Sequence, residues 1–254
     1  MINKSKNKIK YTSSTIKLGI FIILISMIAI NAFHKLSESI IIYTKNVSVK
    51  EVMSLSVVVN QEDYLLQKNN EKYRNSNIEV YYPITKYEVL NNEIKTILDT
   101  KIFKFKENIK DNIEYSMLIN FDMYKYNNYI SFVFHVLEDY AGAHPNTYIF
   151  TVNYNIKDNT IININTLVNK NNNILNLMSK YAYKNLLNND KIKVINLLYM
   201  LKNGTKPIKT NFENFAFEKN GIIVFFEKYQ VAPFAYGEFC ITIPYLELNF
   251  KIDD

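Results

Sequence analysis

The sequence predicts an α+β fold: an antiparallel β-sheet with helices packed on one face, preceded by one N-terminal transmembrane helix. Three observations predict it. Strand-like alternation comes in blocks, helical spacing of apolar residues interrupts it twice, and an uncharged apolar run follows a lysine-studded start. Blocks of strands joined by tight turns pair antiparallel, and amphipathic helices between the blocks cover an apolar sheet face.

The apolar run is residues 18–33, LGIFIILISMIAINAF. Lys4, Lys6, Lys8, Lys10 and Lys17 precede it and no acidic residue does, and lysine on one flank of an apolar helix biases that flank to the cytoplasm. A spanning helix wants about 20 apolar residues; this run has sixteen, or eighteen with Ile16 and a snorkelling Lys17. Three readings compete. A cleaved signal peptide needs small residues at its cleavage site, and Ala32 behind a bulky Ile30, or Ala29 behind Met27, fits poorly. A buried core helix leaves the five lysines unexplained, and a lipoprotein would need a cysteine at the boundary, whereas the one cysteine is Cys240. An uncleaved signal anchor accounts for most: a cytoplasmic basic tail over 1–17, an anchor over 18–36, a connector over 37–50, and an extracytoplasmic remainder.

Of 254 residues, roughly 200 then fold outside, enough for one large domain or two small intimate ones. The formal charge of +6 is nearly all tail, since the remainder has 25 basic against 24 acidic residues. The ectodomain therefore carries no cationic field for nucleic acid, while the tail suits anionic lipid headgroups of the cell membrane. A lone cysteine makes no internal disulfide, so core burial must hold the domain, and 20 tyrosines and 16 phenylalanines supply it.

Along the chain, residues 51–61 are β-branched and read as a first strand. The polar stretch 63–77 reads as a loop, with a helical turn or two open to 64–72, and 78–82 as a strand ended by Pro83. Ile94, Ile97, Leu98, Ile102, Phe105 and Ile109 then recur at helical spacing, which predicts a helix over 91–110 with Asn91 or Asn92 near its cap. Strands over 113–126 and 129–139 flank Asn127-Asn128, a hairpin turn whose asparagines tolerate positive φ. A strand over 147–155 turns through 157–159 into 160–164, which completes a meander. Helical spacing returns over 172–201, with a break near 188–190 and a stop at Gly204 and Pro207. Strands over 214–218 and 222–227 form a second hairpin, and 239–243 and 245–250 supply more.

No glycine loop for phosphate, HExxH helix or cysteine pair is present, so no cofactor or metal is expected. His135, on a strand apolar on both faces, reads as a histidine making one hydrogen bond; a ligand or base reading would pair it with Glu138, Asp139 or His144. His144 lies in YAGAHPN, where Gly142 lets backbone pack closely or take positive φ and Pro145 forces His144 to be extended. This is either a tight structural turn or a rigid recognition corner. In FFEKYQVAPFAYG, Tyr229, Pro233, Phe234 and Tyr236 interleave rings with a stiff turn, which suits a buried corner or a docking surface for sugar or protein. Cys240 reads as a small buried hydrophobe.

AGAHPN (141–146), YIFTVNYNIKDNTIININTLV after it, and NFAFEKNGIIVFFEKYQVAPFAYGEFCITIPYLEL (214–248) resemble a bacterial extracytoplasmic domain family. It occurs in the ectodomain of the RsiV anti-sigma factor and ahead of the catalytic domain of PdaC-type peptidoglycan deacetylases. Residues 78–110 resemble the companion N-terminal module of those proteins. The resemblance implies a PdaC-like module over 51–140 and an RsiV-like module over 141–254, packed as one ectodomain. Ala141 departs from a common glycine and Lys228 from a frequent proline.

The expectation is a membrane-anchored module that binds a cell-envelope ligand without catalysis, the resemblance implying a lysozyme-like protein or peptidoglycan. Its candidate ligand-binding residues are Gly142, His144, Pro145, Asn146, Tyr229, Pro233, Phe234 and Tyr236. An envelope hydrolase or esterase using His144 or His135 beside a carboxylate, and a structural subunit of an envelope complex, are the alternatives.

Overall fold

A computed structural model of the chain describes residues 60–61, 63–195 and 198–250. The expected tail, anchor and connector, and nearly all of the strand expected over 51–61, lie outside them. Among the described residues no helix is long and apolar enough to cross a membrane.

The α+β class holds, with a larger and less uniform sheet than expected. Seven strands run in sequence order: β1 (Asn60–Gln61), β2 (Tyr64–Tyr73), β3 (Ser76–Ile84), β4 (Ser116–Tyr126), β5 (Tyr129–Asp139), β6 (Asn146–Asn155) and β7 (Thr160–Ile162). The polar loop expected over 63–77 is corrected: β2 is a ten-residue strand that folds back on β3 across Arg74 and Asn75, with Arg74 left-handed at φ 53°. Lying near the sheet edge, β2 leaves most side chains in water, so its hydropathy carries no alternation. Its order comes from the backbone ladder and from ion pairs, Lys68 to Glu79 at 3.0 Å and Glu71 to Lys106 at 2.5 Å. Pro83 does not end β3; pairing with β4 stops at Val80, so a missing N–H there costs no bond on that side.

Helix α1 (Glu88–Glu107) starts three residues before the expected 91 and buries Leu90, Ile94, Leu98 and Phe105. Asn91 is not at the cap but inside the first turn. Its Oδ1 accepts from the Thr85 N–H at 2.9 Å and its Nδ2 donates to the Thr85 carbonyl at 2.7 Å, which fixes the strand-to-helix corner. Because α1 carries the chain back across the sheet, β3 and β4 pair parallel, so the sheet is mixed rather than wholly antiparallel. The hairpin β4–β5 turns at Asn127 (φ 48°) and Asn128 as expected.

After β7 come α2 (Ile164–Lys170), α3 (Ile174–Leu187), α4 (Asp190–Ile195) and α5 (Leu198–Gly204). Helix α2 was not expected, being too short to show a period; Asn163 and Thr166 form a reciprocal capping box at its start. A second sheet follows, ordered β10-β9-β8, from β8 (Phe215–Glu218), β9 (Gly221–Phe226) and β10 (Phe239–Ile243). The strand expected over 245–250 is a 3-10 turn, Tyr245–Leu248, started by Pro244, whose carbonyl accepts from the Glu247 N–H at 3.0 Å. Cys240 is exposed, not buried, because alternation along β10 sends Phe239, Ile241 and Ile243 inward.

Helices do not cover one face alone. On β5, Ile130, Phe132, Phe134 and Val136 face the core under α1, while Tyr129 enters a second core with the three-stranded sheet and α3. Strand β8 lies over β4, β5 and β6. A strand apolar on both faces needs a cover on both, and the second sheet supplies it. Residues on either side of position 140 share the seven-stranded sheet.

Candidate functional site

The loop between β5 and β6 and the segment after β9 meet at one end of the sheets. Ala141 takes φ 54° and its N–H donates to Asp139 Oδ1 at 2.9 Å, which turns the chain out of β5. The positive φ falls on Ala141 and not on Gly142, where an added Cβ would meet nothing within 4 Å. Pro145 is half-buried and keeps His144 extended and exposed at the tip.

On the other side, Tyr229 turns the chain with φ 67° and is 64% exposed. Pro233 starts a 3-10 turn, Phe234–Tyr236, closed by Gly237 at φ 76°. The His144 ring stacks on Phe234 with centroids 4.5 Å apart, and Tyr229 lies 5.5 Å from the same ring. Lys228 places its ammonium 4.7 Å over Phe234 and donates to the Thr147 hydroxyl, tying the segment to β6. The result is a ridge of three rings and one cation, with His144 and Tyr229 exposed and Phe234 and Lys228 half-buried.

Six of the eight sequence-predicted residues build this ridge or its corners, and two point elsewhere. Tyr236 packs against the core of the second sheet. Asn146 donates to Glu138 Oε2 at 3.3 Å on the opposite face of β6. There, α1 and the ends of β5 and β6 border an open pocket of about 430 Å³ lined by Lys101, Phe105, Glu138, Tyr140 and Tyr148 among others. Burial pushes the Tyr148 phenol far up, with Glu138 accepting its proton at 2.9 Å. Burial and then Glu138 push Tyr140 up to about 12. Burial likewise lowers the Lys101 ammonium and raises the nearby Glu227 carboxyl, with Glu213 adding to it.

Sequence reasoning missed Lys228, Lys101 and the tyrosines beside Glu138. A lysine on a helix flank or after a strand reads as solvated, and only the fold shows that its ammonium ends over an aromatic ring. His135 bonds Asp122 across the hairpin at 2.9 Å, and not Glu138, Asp139 or His144. Period 2 puts Glu138 on the face of Phe134 and Val136, opposite His135, whereas Asp139 shares the face of His135 but lies four residues farther along the strand. Among the described residues no group of three His, Cys, Asp or Glu side chains gathers for a metal.

A family described as "Protein of unknown function (DUF3298)" matches residues 165–246, from α2 to the turn after β10. The match takes in Tyr229, Pro233, Phe234 and Tyr236. The chain is 31% identical over 175 residues to the peptidoglycan-N-acetylmuramic acid deacetylase PdaC of Bacillus subtilis (strain 168), covering 66% of this chain and 37% of that protein. It therefore spans little more than a third of that relative's length. A DUF3298 family protein from Pseudomonas aeruginosa PAO1 superposes with a TM-score of 0.54 at 12% identity, over 74% of this chain and 91% of that one. That likeness is one of fold. A second DUF3298 member, from Bacteroides fragilis NCTC 9343, gives 0.49 at 15% identity, over 74% and 92%. Residues 165–246 thus match the DUF3298 family, and the chain is similar to the PdaC relative over 66% of its own length.

Proposed function

We propose that this chain is a membrane-anchored extracytoplasmic module that binds a cell-envelope ligand, and that it does so without catalysis. The observation that carries this is the ridge in which His144 and Tyr229 gather about Phe234 under the Lys228 ammonium. Exposed rings on a stiff sheet end give contact area at low entropic cost, with polar tips for orientation. Peptidoglycan glycan is the ligand this surface suits best, since a sugar ring offers one flat apolar face and a polar rim. The PdaC relative acts on peptidoglycan by name, which supports the same class. A lysozyme-like protein is the second ligand the ridge suits, docking on the same rings.

The imidazole of His144 lies flat on Phe234 with Nδ1 3.3 Å from the Pro145 carbonyl, a setting for contact rather than proton transfer. The lysine-flanked run 18–33 would hold the module at the cell membrane, with its basic tail against anionic lipid.

The test is retention of the purified full chain on isolated peptidoglycan sacculi. Retention that falls in His144→Ala and Tyr229→Ala, with no muropeptide product by mass, supports the reading. No retention of sacculi or of lysozyme, or a released product, overturns it. Protease added to intact cells should remove a C-terminal tag; a tag cut only after lysis overturns the orientation.

A further inference from the structure

The near-neutral sum of charge beyond the tail hides a segregation. Residues 164–212, which form α2 to α5 and the turn after them, carry eight lysines, no arginine and one acid, Asp190. Outside that block, residues 18–254 hold 17 basic and 23 acidic residues. All eight lysines are exposed. Among the described residues of the block only Lys193 forms an ion pair, with Asp190 at 3.2 Å. Helix C-termini favour a cation, which accounts for one lysine in each last turn, Lys184 and Lys202 among them. It does not account for Lys180, Lys191, Lys206 and Lys209. Apolar tips stand between these cations: Tyr199 is 78% exposed, and Leu187, Leu198 and Ile208 are exposed with it. Leu187 lies three positions after Lys184, Leu198 and Tyr199 four and three before Lys202, and Ile208 between Lys206 and Lys209. On a helix such spacings share a face. The buried faces, with Met178, Ala182, Leu186 and Leu201, are spent on the second core, to which none of the four tips belongs. Helices α4 and α5 both pack on α3, so the three lie together on that core. Among the described residues the one carboxylate lining the groove beside Lys180 and Lys184 is Glu247.

We propose that this helical face docks on a lipid surface bearing anionic headgroups, its lysines on the phosphates and Leu187, Leu198, Tyr199 and Ile208 at the boundary of headgroup and acyl chain. Single apolar tips among cations fit lipid, where each enters between headgroups and the lysine stems reach back to the charge. A protein partner would instead need a continuous apolar patch with charge kept to its rim. A soluble polyanion would take the lysines and leave the tips in water. Each lysine close to an anionic leaflet strengthens docking about fivefold, so several exposed ones acting together outweigh the single carboxylate of Glu247. The contact goes beyond the ridge reading and does not rest on it; the proposed anchor only brings lipid within reach.

The test is an environment-sensitive fluorescent label on the full chain, reconstituted into lipid discs of phosphatidylcholine alone or mixed with phosphatidylglycerol. The label is placed at Tyr199→Cys in a Cys240→Ser background, and at Phe103→Cys, exposed on α1, as the control. The expected result is a brighter, blue-shifted Tyr199→Cys label in the anionic discs alone, with the Phe103→Cys label as in water in both. Lys180→Gln and Lys206→Gln, away from the last turns, should each lower the ratio of docked to free label about fivefold. A Tyr199→Cys label that stays in water in both discs, one that enters neutral and anionic discs alike, or a shift of both labels together overturns the proposal. So does a response to soluble polyphosphate without one to lipid. The comparison of discs needs no lysine variant, so it decides even where a variant fails to fold. Should the chain not insert into discs, the anchor reading fails, and the same labels are read against added vesicles of the two compositions with the same outcomes deciding. Retention on sacculi tests the ridge separately and stands or falls by itself.

Discussion

The Ser131 hydroxyl accepts a hydrogen bond from the backbone N–H of Phe217 at 2.9 Å, between two buried strands 86 positions apart. Ser131 is the polar member of a run of six buried residues on β5. Beside it, Thr151 Oγ1 accepts from the Phe215 N–H at 3.2 Å and Asn153 donates to the Phe215 carbonyl at 2.9 Å. The side of β8 that faces away from β9 is thus served by side chains of β5 and β6. An edge strand left bare in a core would carry several unmet backbone groups, each costly. Polar residues dock one sheet on the other here.

Ser131→Ala should therefore cost about 1–3 kcal/mol, the penalty of a buried donor left unpaired. Urea unfolding of the full chain measures it through the midpoint at unchanged slope. A variant as stable as the parent would show that this bond does not hold the sheets together.

Ala141 sits at φ 54°, a conformation that costs a residue with a Cβ about 1–2 kcal/mol. Ala141→Gly relieves that cost and adds unfolded-chain entropy of about 0.5–1 kcal/mol. The expected outcome is a small gain, within about 1 kcal/mol of the parent by thermal unfolding. A clear loss would mean the loop does not turn at this residue.

How far the sequence revealed this molecule follows from individual residues. Asn127 gave the central hairpin, and the spacing of Ile94, Leu98 and Phe105 gave α1, because in both a local rule and the fold agree. His144 and Phe234 were each singled out from their own stretches, 90 positions apart, and the fold stacks them. Strand β2 was hidden because its polar side chains stay in water and its order comes from ladder bonds. The docking of β8 was hidden too: Ser131 and Asn153 in apolar strands look like defects until the partner backbone is seen. Lys101 and Lys228 reach their rings only through long stems that no spacing rule follows.

Gly204 ends α5 against the segment before the ridge, where an added Cβ would lie 2.1 Å from the Gln230 carbonyl oxygen. Gln230 in turn donates to the Gly204 carbonyl at 3.1 Å. Backbone cannot move aside cheaply, so Gly204→Ala should destabilise by about 1–3 kcal/mol. It should also loosen the chain leading to Phe234, so weaker retention on sacculi is expected alongside the lower melting temperature. Unchanged stability would place this contact wrongly.

Alkaline pH should unfold the domain earlier than its core would suggest. The Tyr140 phenol is raised from 10.0 to about 12, and Tyr148 and Tyr245 are raised further, all chiefly by burial. A raised folded pKa means the folded state keeps protons that the unfolded state releases. The stability these groups contribute is whole below pH 10 and is lost as pH climbs through the folded values. Lys101, lowered by burial, works in the opposite sense below 10.5. Ultraviolet titration at the phenolate band should show late-ionising tyrosines that appear together with unfolding. Smooth ionisation of every tyrosine near 10 would contradict the buried assignments.

The central claim is that ligand meets the ridge where His144 stacks on Phe234. The most direct measurement is side-chain NMR of the full chain, with labelled histidine and aromatic residues, during titration with soluble glycan strands from sacculi. The account predicts shifts at His144, Tyr229 and Phe234 that saturate together and vanish in Phe234→Ala, while His135, bonded to Asp122 on the β4–β5 hairpin, stays put. Saturable shifts centred on His135, or glycan binding that leaves His144 and Phe234 unmoved, would contradict it.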